Sequence, residues 1–182
     1  MKYKYFNYLF LLSFFGLLLA IHPQPREYVL KTAFIEKFTR FTEWPEDILS
    51  TDTSRPFIVS VFGKSPIDNE LDLFFEKQKI KDFNVEVRHI KNIDEIEGSQ
   101  ILFISESVGS KLSDILKYTK NSPILTIADT EGYAEKGVII NLYLEEDQIR
   151  FEINYDALTA TDLSINYLLL NHARLIKKGG KK

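Results

Sequence analysis

Gly63-Lys64-Ser65 directly follows an apolar run, Phe57 to Phe62. A phosphate-binding loop delivers its lysine and hydroxyl from such a place. The loop also needs a glycine five residues before Gly63, so that backbone amides can cradle the phosphates, and this chain has Ile58 there. Ser65 then reads as a helix cap, with Pro66 in the first turn and Asp68 near the positive end of the dipole. Asp129 ends another apolar run, where a receiver-like fold would hold an acceptor aspartate. That run is the fourth of its kind, and no acidic pair follows the first, so Asp129-Thr130-Glu131-Gly132 reads as a turn. Glu145-Glu146-Asp147 could hold a hard cation, but the spaced ligands of a calcium loop are missing and a solvated hairpin tip is expected.

The rest of the catalytic vocabulary is absent. There is no cysteine, hence no thiolate nucleophile, disulfide or zinc-thiolate site. The three histidines form no His-x-x-x-His pair, and neither Gly-x-Ser-x-Gly nor Gly-x-Gly-x-x-Gly occurs. His172 falls on an apolar stripe and is expected as a hydrogen-bonded core residue. No catalytic residue, cofactor or metal is expected. What remains is binding chemistry: Phe34, Phe38, Phe41 and Trp44 form an aromatic series that could line a pocket or a partner patch. For Phe34 and Phe38 the helical spacing favours burial in the core, whereas Trp44 suits either role.

The elements needed to position these residues can be traced along the chain. Leu30, Phe34, Phe38 and Phe41 recur at helical spacing from Arg26 until Trp44-Pro45 stops the helix. Phe57–Phe62 reads as a buried strand, and Leu71, Leu73, Phe74 and Phe75 populate the helix after Ser65. Val85 and Val87 alternate with Glu86 and Arg88 as in an edge strand or a half-buried one, and Ile101–Ser105 is another strand. A helix from about Ser110 to Tyr118 precedes the strand Ile124–Ala128. Val138–Leu144 and Ile149–Ile153 form an antiparallel hairpin, since Ile149, Phe151 and Ile153 alternate with Arg150, Glu152 and Asn154. After it, Ile165, Leu168, Leu169, His172 and Ile176 fall on one helical stripe, with a break near Thr161 to Ser164. The fold class is therefore α/β: a single-domain mixed β-sheet sandwiched between α-helices, with a C-terminal β-hairpin and helix.

The chain has 182 residues and a net charge of −3. Lys2 and Lys4 precede an apolar run to Ala20, the layout of a secretory signal peptide over 1–20, with an uncleaved anchor as the alternative. Without those residues 21 basic and 26 acidic side chains remain, a charge of −5. With no clustered basic stripe, a nucleic-acid partner is not expected. Residues 21–176 suit one domain with a sizeable core, and 177–182 form a basic tail.

Several segments together resemble the YfiR family of periplasmic regulators. They are Glu27–Phe34 with Phe38-Thr39-Arg40-Phe41-Thr42-Glu43-Trp44-Pro45, then Phe57–Gly63 and Gln100–Ser105. Leu125–Asp129 with Gly132-Tyr133-Ala134, Gly137–Leu142, Arg150–Asn154 and the Leu163-Ser164-Ile165 helix complete the match. The resemblance implies an α/β sandwich, often dimeric, that inhibits a membrane-bound diguanylate cyclase and is relieved by an outer-membrane lipoprotein. It also implies kin fused to sensor kinases or standing beside outer-membrane receptors. This chain has Ser99-Gln100 where family members carry a cysteine, so redox control of that kind is excluded. The expected function is a periplasmic, non-enzymatic adaptor that binds and restrains an inner-membrane signalling protein. The alternative is a small-ligand sensor or carrier beside an outer-membrane receptor, which needs an apolar pocket near Trp44 or Asp129. Phe41, Trp44, Asp129, Tyr133 and Asn141 are the candidate partner- or ligand-binding residues; Trp44, Asp129, Gly137, Asn141 and Asn154 read equally as signatures of the fold.

Overall fold

The structure is a computed structural model that describes residues 24–49 and 52–177. The expected signal peptide, and the expected tail beyond Lys177, lie outside those residues. Helix α1 (Gln24–Phe41) leads into the two-residue strand β1 (Thr42–Glu43). Strand β2 (Phe57–Phe62), helix α2 (Asp68–Phe75) and strand β3 (Val85–Ile90) follow. Strand β4 (Ile101–Ile104), helix α3 (Leu112–Thr119), strand β5 (Leu125–Ala128) and the helical turn α4 (Tyr133–Lys136) continue the alternation. The hairpin is β6 (Ile140–Glu145) and β7 (Gln148–Asn154). The chain ends through α5 (Tyr155–Thr159), β8 (Ser164–Ile165), α6 (Tyr167–Leu170) and β9 (Arg174–Ile176).

Seven strands form one sheet in the order β3-β2-β4-β5-β6-β7-β9, parallel throughout except across β6 and β7. Alternation along each strand divides the side chains between two faces. Val59, Val61, Ile101, Phe103, Leu125, Ile127, Ile140, Leu142, Phe151 and Ile153 face one core, closed by Ile35 and Phe38 of α1, Leu71 and Phe75 of α2, and Leu163, Ile165 and Leu169. Phe62, Leu102, Ile104 and Ala128 face the other, closed by Leu112 and Ile115 of α3 and by Tyr133. Burial on both faces explains why the central strands read as continuous apolar runs rather than alternating ones. The hairpin turns on Glu146 and Asp147, both at positive φ, which is the geometry of a two-residue turn matched to strand twist.

Three local expectations differ from the structure. The first helix stops at Phe41, and Thr42 and Glu43 pair as β1 with Ile165 and Ser164. Trp44-Pro45 excludes helix there as expected, but the chain is already extended two residues earlier. The helix after Ser65 begins at Asp68; the Ser65 hydroxyl accepts the Ile67 amide at 3.3 Å, holding the turn before the helix instead of capping it. The C-terminal stripe is not one helix. The break expected near Thr161 to Ser164 is present, but Ser164–Ile165, expected in a helix, is extended and pairs with β1; Asn166 caps only a single turn, and Arg174–Ile176 pairs as a parallel strand with Glu152–Asn154. His172, expected in the core, is exposed beyond that turn.

Candidate functional site

The aromatic series on α1 divides between core and surface. Helical spacing sets Phe34, Phe38 and Phe41 along one flank, and Phe38 is fully buried while Phe34 and Phe41 are half-buried. Phe151 of β7 joins them, its ring centroid 5.0 Å from Phe38 and 6.3 Å from Phe34. Leu168, Leu169 and His172 form the opposite wall. The space between is a groove of about 390 Å³, bordered also by Lys37, Ile149 and Arg150. No carboxylate lines it. Lys37 makes no ion pair among the described residues, whereas Arg40, on the same helix, is held by Glu36 at 2.7 Å.

Trp44 does not join the groove. It is buried, edge-on to Phe57 at 5.3 Å, with its indole N–H donating to the Gln100 carbonyl at 3.3 Å. That is the satisfied environment expected of a core tryptophan.

Asp129 and Tyr133 come together beyond the carboxyl end of β5. The Asp129 carboxylate accepts a hydrogen bond from the Lys31 ammonium at 2.6 Å, and Glu27 takes the same ammonium at 2.6 Å. Lys31 is only 5% exposed and Asp129 10%, so the pair is a buried tie between α1 and the sheet. The Lys31 ammonium also lies 4.6 Å from the Tyr28 ring centroid. Burial alone would pull the lysine pKa down; hydrogen bonds to Asp129 and Glu27, with their charges, more than reverse this and raise it. Tyr133 is buried and its phenol is pushed up, first by that burial and then by the Glu106 charge. The turn expected at Asp129 is present, with the Tyr133 amide bonded to the Thr130 carbonyl. The partner of Asp129 lies 98 residues away, and no local pattern could have disclosed it.

Asn141 is separate from both places. It is buried on β6 and donates to Glu152 at 3.2 Å; Glu152 in turn accepts from Arg174 Nε at 2.9 Å and from Nη2. Arg174 stacks over Tyr143 at 4.7 Å. This row runs across β6, β7 and β9 and joins the last strand to the hairpin.

Parallel sheets of this kind commonly bind ligands where the strand order reverses, here beyond β2 and β4. That crevice is closed. Ser107 Oγ accepts the Lys64 amide at 2.9 Å, and Ser105 donates to the Lys64 carbonyl. Gly63, at φ 92°, lies so close that an added Cβ would meet Ser107 Oγ at 2.6 Å and Val108 Cγ1 at 2.7 Å. A second cavity of about 380 Å³, between α3 and α5, mixes Lys117, Lys120 and Lys136 with Glu135 and Asp156. Among the described residues no cluster of His, Asp and Glu could hold a metal ion, and no helix is long and apolar enough to cross a membrane.

Five candidates thus fall in four places: Phe41 at the groove, Trp44 in the core, Asp129 with Tyr133 at the end of β5, and Asn141 in the hairpin network. The fold and the groove define an α/β domain with an aromatic recess beside its first helix. Residues 28–174 match the YfiR/HmsC-like family model, and the chain belongs to that family, whose members are generally regulatory rather than catalytic. No curated protein matches the chain. Among solved structures, an ABC domain from Streptococcus pneumonia in complex with L-Trp is similar at 9% identity, with a TM-score of 0.48. The alignment covers 77% of this chain and 60% of that one, less than two thirds of its length. At that score the likeness carries no argument.

Proposed function

We propose that this protein is a periplasmic regulatory adaptor that binds and restrains an inner-membrane signalling protein of the diguanylate cyclase or sensor kinase type, without catalysis of its own. The observation that carries this reading is the open aromatic groove beside α1, in a chain of a regulatory family. An apolar recess beside exposed Leu30 and Leu168 is the kind of surface that marks a partner site on an otherwise folded domain. Photo-crosslinking from position 41 in the native host, followed by mass spectrometry, tests it. Recovery of an inner-membrane cyclase or kinase supports restraint. Absence of any protein adduct from position 41 and from the other faces of the domain, with the domain folded and present, counts against it.

The small-ligand reading draws support from the same groove, whose volume lies within the usual range of small-molecule pockets. It places the pocket at Phe41 rather than at Trp44 or Asp129. Native mass spectrometry of protein taken directly from the envelope separates the two readings: a retained small molecule lost in Phe41→Ala favours the sensor.

A further inference from the structure

We infer that the groove takes an acidic, aromatic segment of the partner protein: one tryptophan or phenylalanine side chain seated between α1 and α6, flanked by carboxylates. The inference rests on the adaptor reading and adds the chemistry of the partner. Size sets the first constraint. A recess of about 390 Å³ walled by Phe34, Phe38, Phe41, Phe151 and Leu168 accommodates a large ring and part of a neighbour, not a whole buried helix. The apolar stripe continues one turn back along α1 to Leu30, 43% exposed, so Leu30 to Phe41 spans roughly 16 Å of helix. A short segment of the partner fits along it.

Charge sets the second constraint. Lys37 and His172 stand on opposite walls, Arg150 borders the floor, and no acid lines the recess. Arg150 faces Glu145 only at 3.7 Å, and Lys37 has no ion-pair partner among the described residues. This basic rim stands out on a chain whose net charge is −3. A basic segment would set like charge beside Lys37, while a carboxylate next to the seated ring meets its ammonium and disfavours like-charged competitors.

Two measurements on the full chain test this. In the first, a short acetylated fluorescent peptide with one tryptophan between glutamates is titrated against wild type and Lys37→Glu, with a lysine-flanked peptide as the charge-reversed probe. The expected result is binding of the glutamate peptide, about tenfold weaker in Lys37→Glu, with the lysine peptide now preferred. Phe41→Ala, shown to be folded by circular dichroism, loses both. Equal binding of the two peptides to wild type, binding untouched by Lys37→Glu, or no binding at all overturns the proposal. In the second, photo-crosslinks from position 41 are mapped on the captured protein. Adducts to an acidic aromatic stretch support it. Adducts to residues 1–20 of the same chain, to a second copy, or to a basic stretch overturn it. An inner-membrane partner crosslinked from another surface, with position 41 silent, defeats this inference while the adaptor reading survives.

Discussion

Lys31 is the residue on which the junction between α1 and the sheet depends. Its ammonium is shared by Glu27 and Asp129 in a site almost closed to water. Replacing it with methionine leaves Asp129 buried without its partner, an expected loss of about 3 kcal/mol by urea denaturation. Lys31→Met combined with Asp129→Asn should recover most of that loss, because the cost lies in the stranded charge. The same cluster sets an alkaline limit. Lys31 is raised, against the pull of burial, by its bonds to Asp129 and Glu27; Tyr133 is raised by burial and then the Glu106 charge, and Tyr28 by burial and then the Asp129 charge. Groups with raised folded pKa values contribute stability that is complete below their unfolded values and lost as pH rises through the folded ones. The urea midpoint of wild type should therefore fall from about pH 10 upward, and less steeply in Lys31→Met. Gly63 offers a separate check. Its positive φ and the closeness of Ser107 and Val108 predict a loss of about 1–3 kcal/mol for Gly63→Ala, read from the same denaturation curves. At this scale the sequence disclosed residue types but not partners. The turn at Asp129 was legible from neighbouring residues; the lysine that meets it was not.

Among the elements, the central strands were legible because burial on both faces writes unbroken apolar runs, and the hairpin was legible because alternation and an acidic tip coincide. The C-terminal segment was misread for a physical reason. Leu168, Leu169 and His172 have helical spacing, but Asn166 starts a turn that Asn171 ends, and Arg174–Ile176 gains more from pairing with β7 than from continuing as helix. Glu152 is the device that holds it. Its carboxylate joins Asn141 on one side to Arg174 on the other, so β9 and the groove wall just before it are anchored together. Arg174→Ala should raise amide exchange in β9 and α6 while leaving β2, β4 and β5 protected, as seen by hydrogen–deuterium exchange with peptide mapping. Uniform protection across the chain would mean that strand pairing alone anchors the segment. The groove was half legible for the same reason: its α1 wall follows from spacing, whereas its other wall belongs to the misread segment.

At the scale of the whole molecule, both cores share one sheet, so loss of either face exposes the other. The single tryptophan stands within that arrangement, buried against Phe57. Its emission should shift to the red at the same denaturant midpoint at which far-ultraviolet circular dichroism is lost; separated midpoints would show that the two faces unfold independently. The pairing of β1 with β8 carries a consequence in time. Thr42 meets Ile165, and Phe38 is closed in by Phe151, so the first helix has no finished seat until the hairpin and β8 have been synthesised. Contacts of such sequence separation form late and slowly. Until those strands are made, the apolar flank of the first helix stands open to whatever meets the growing chain.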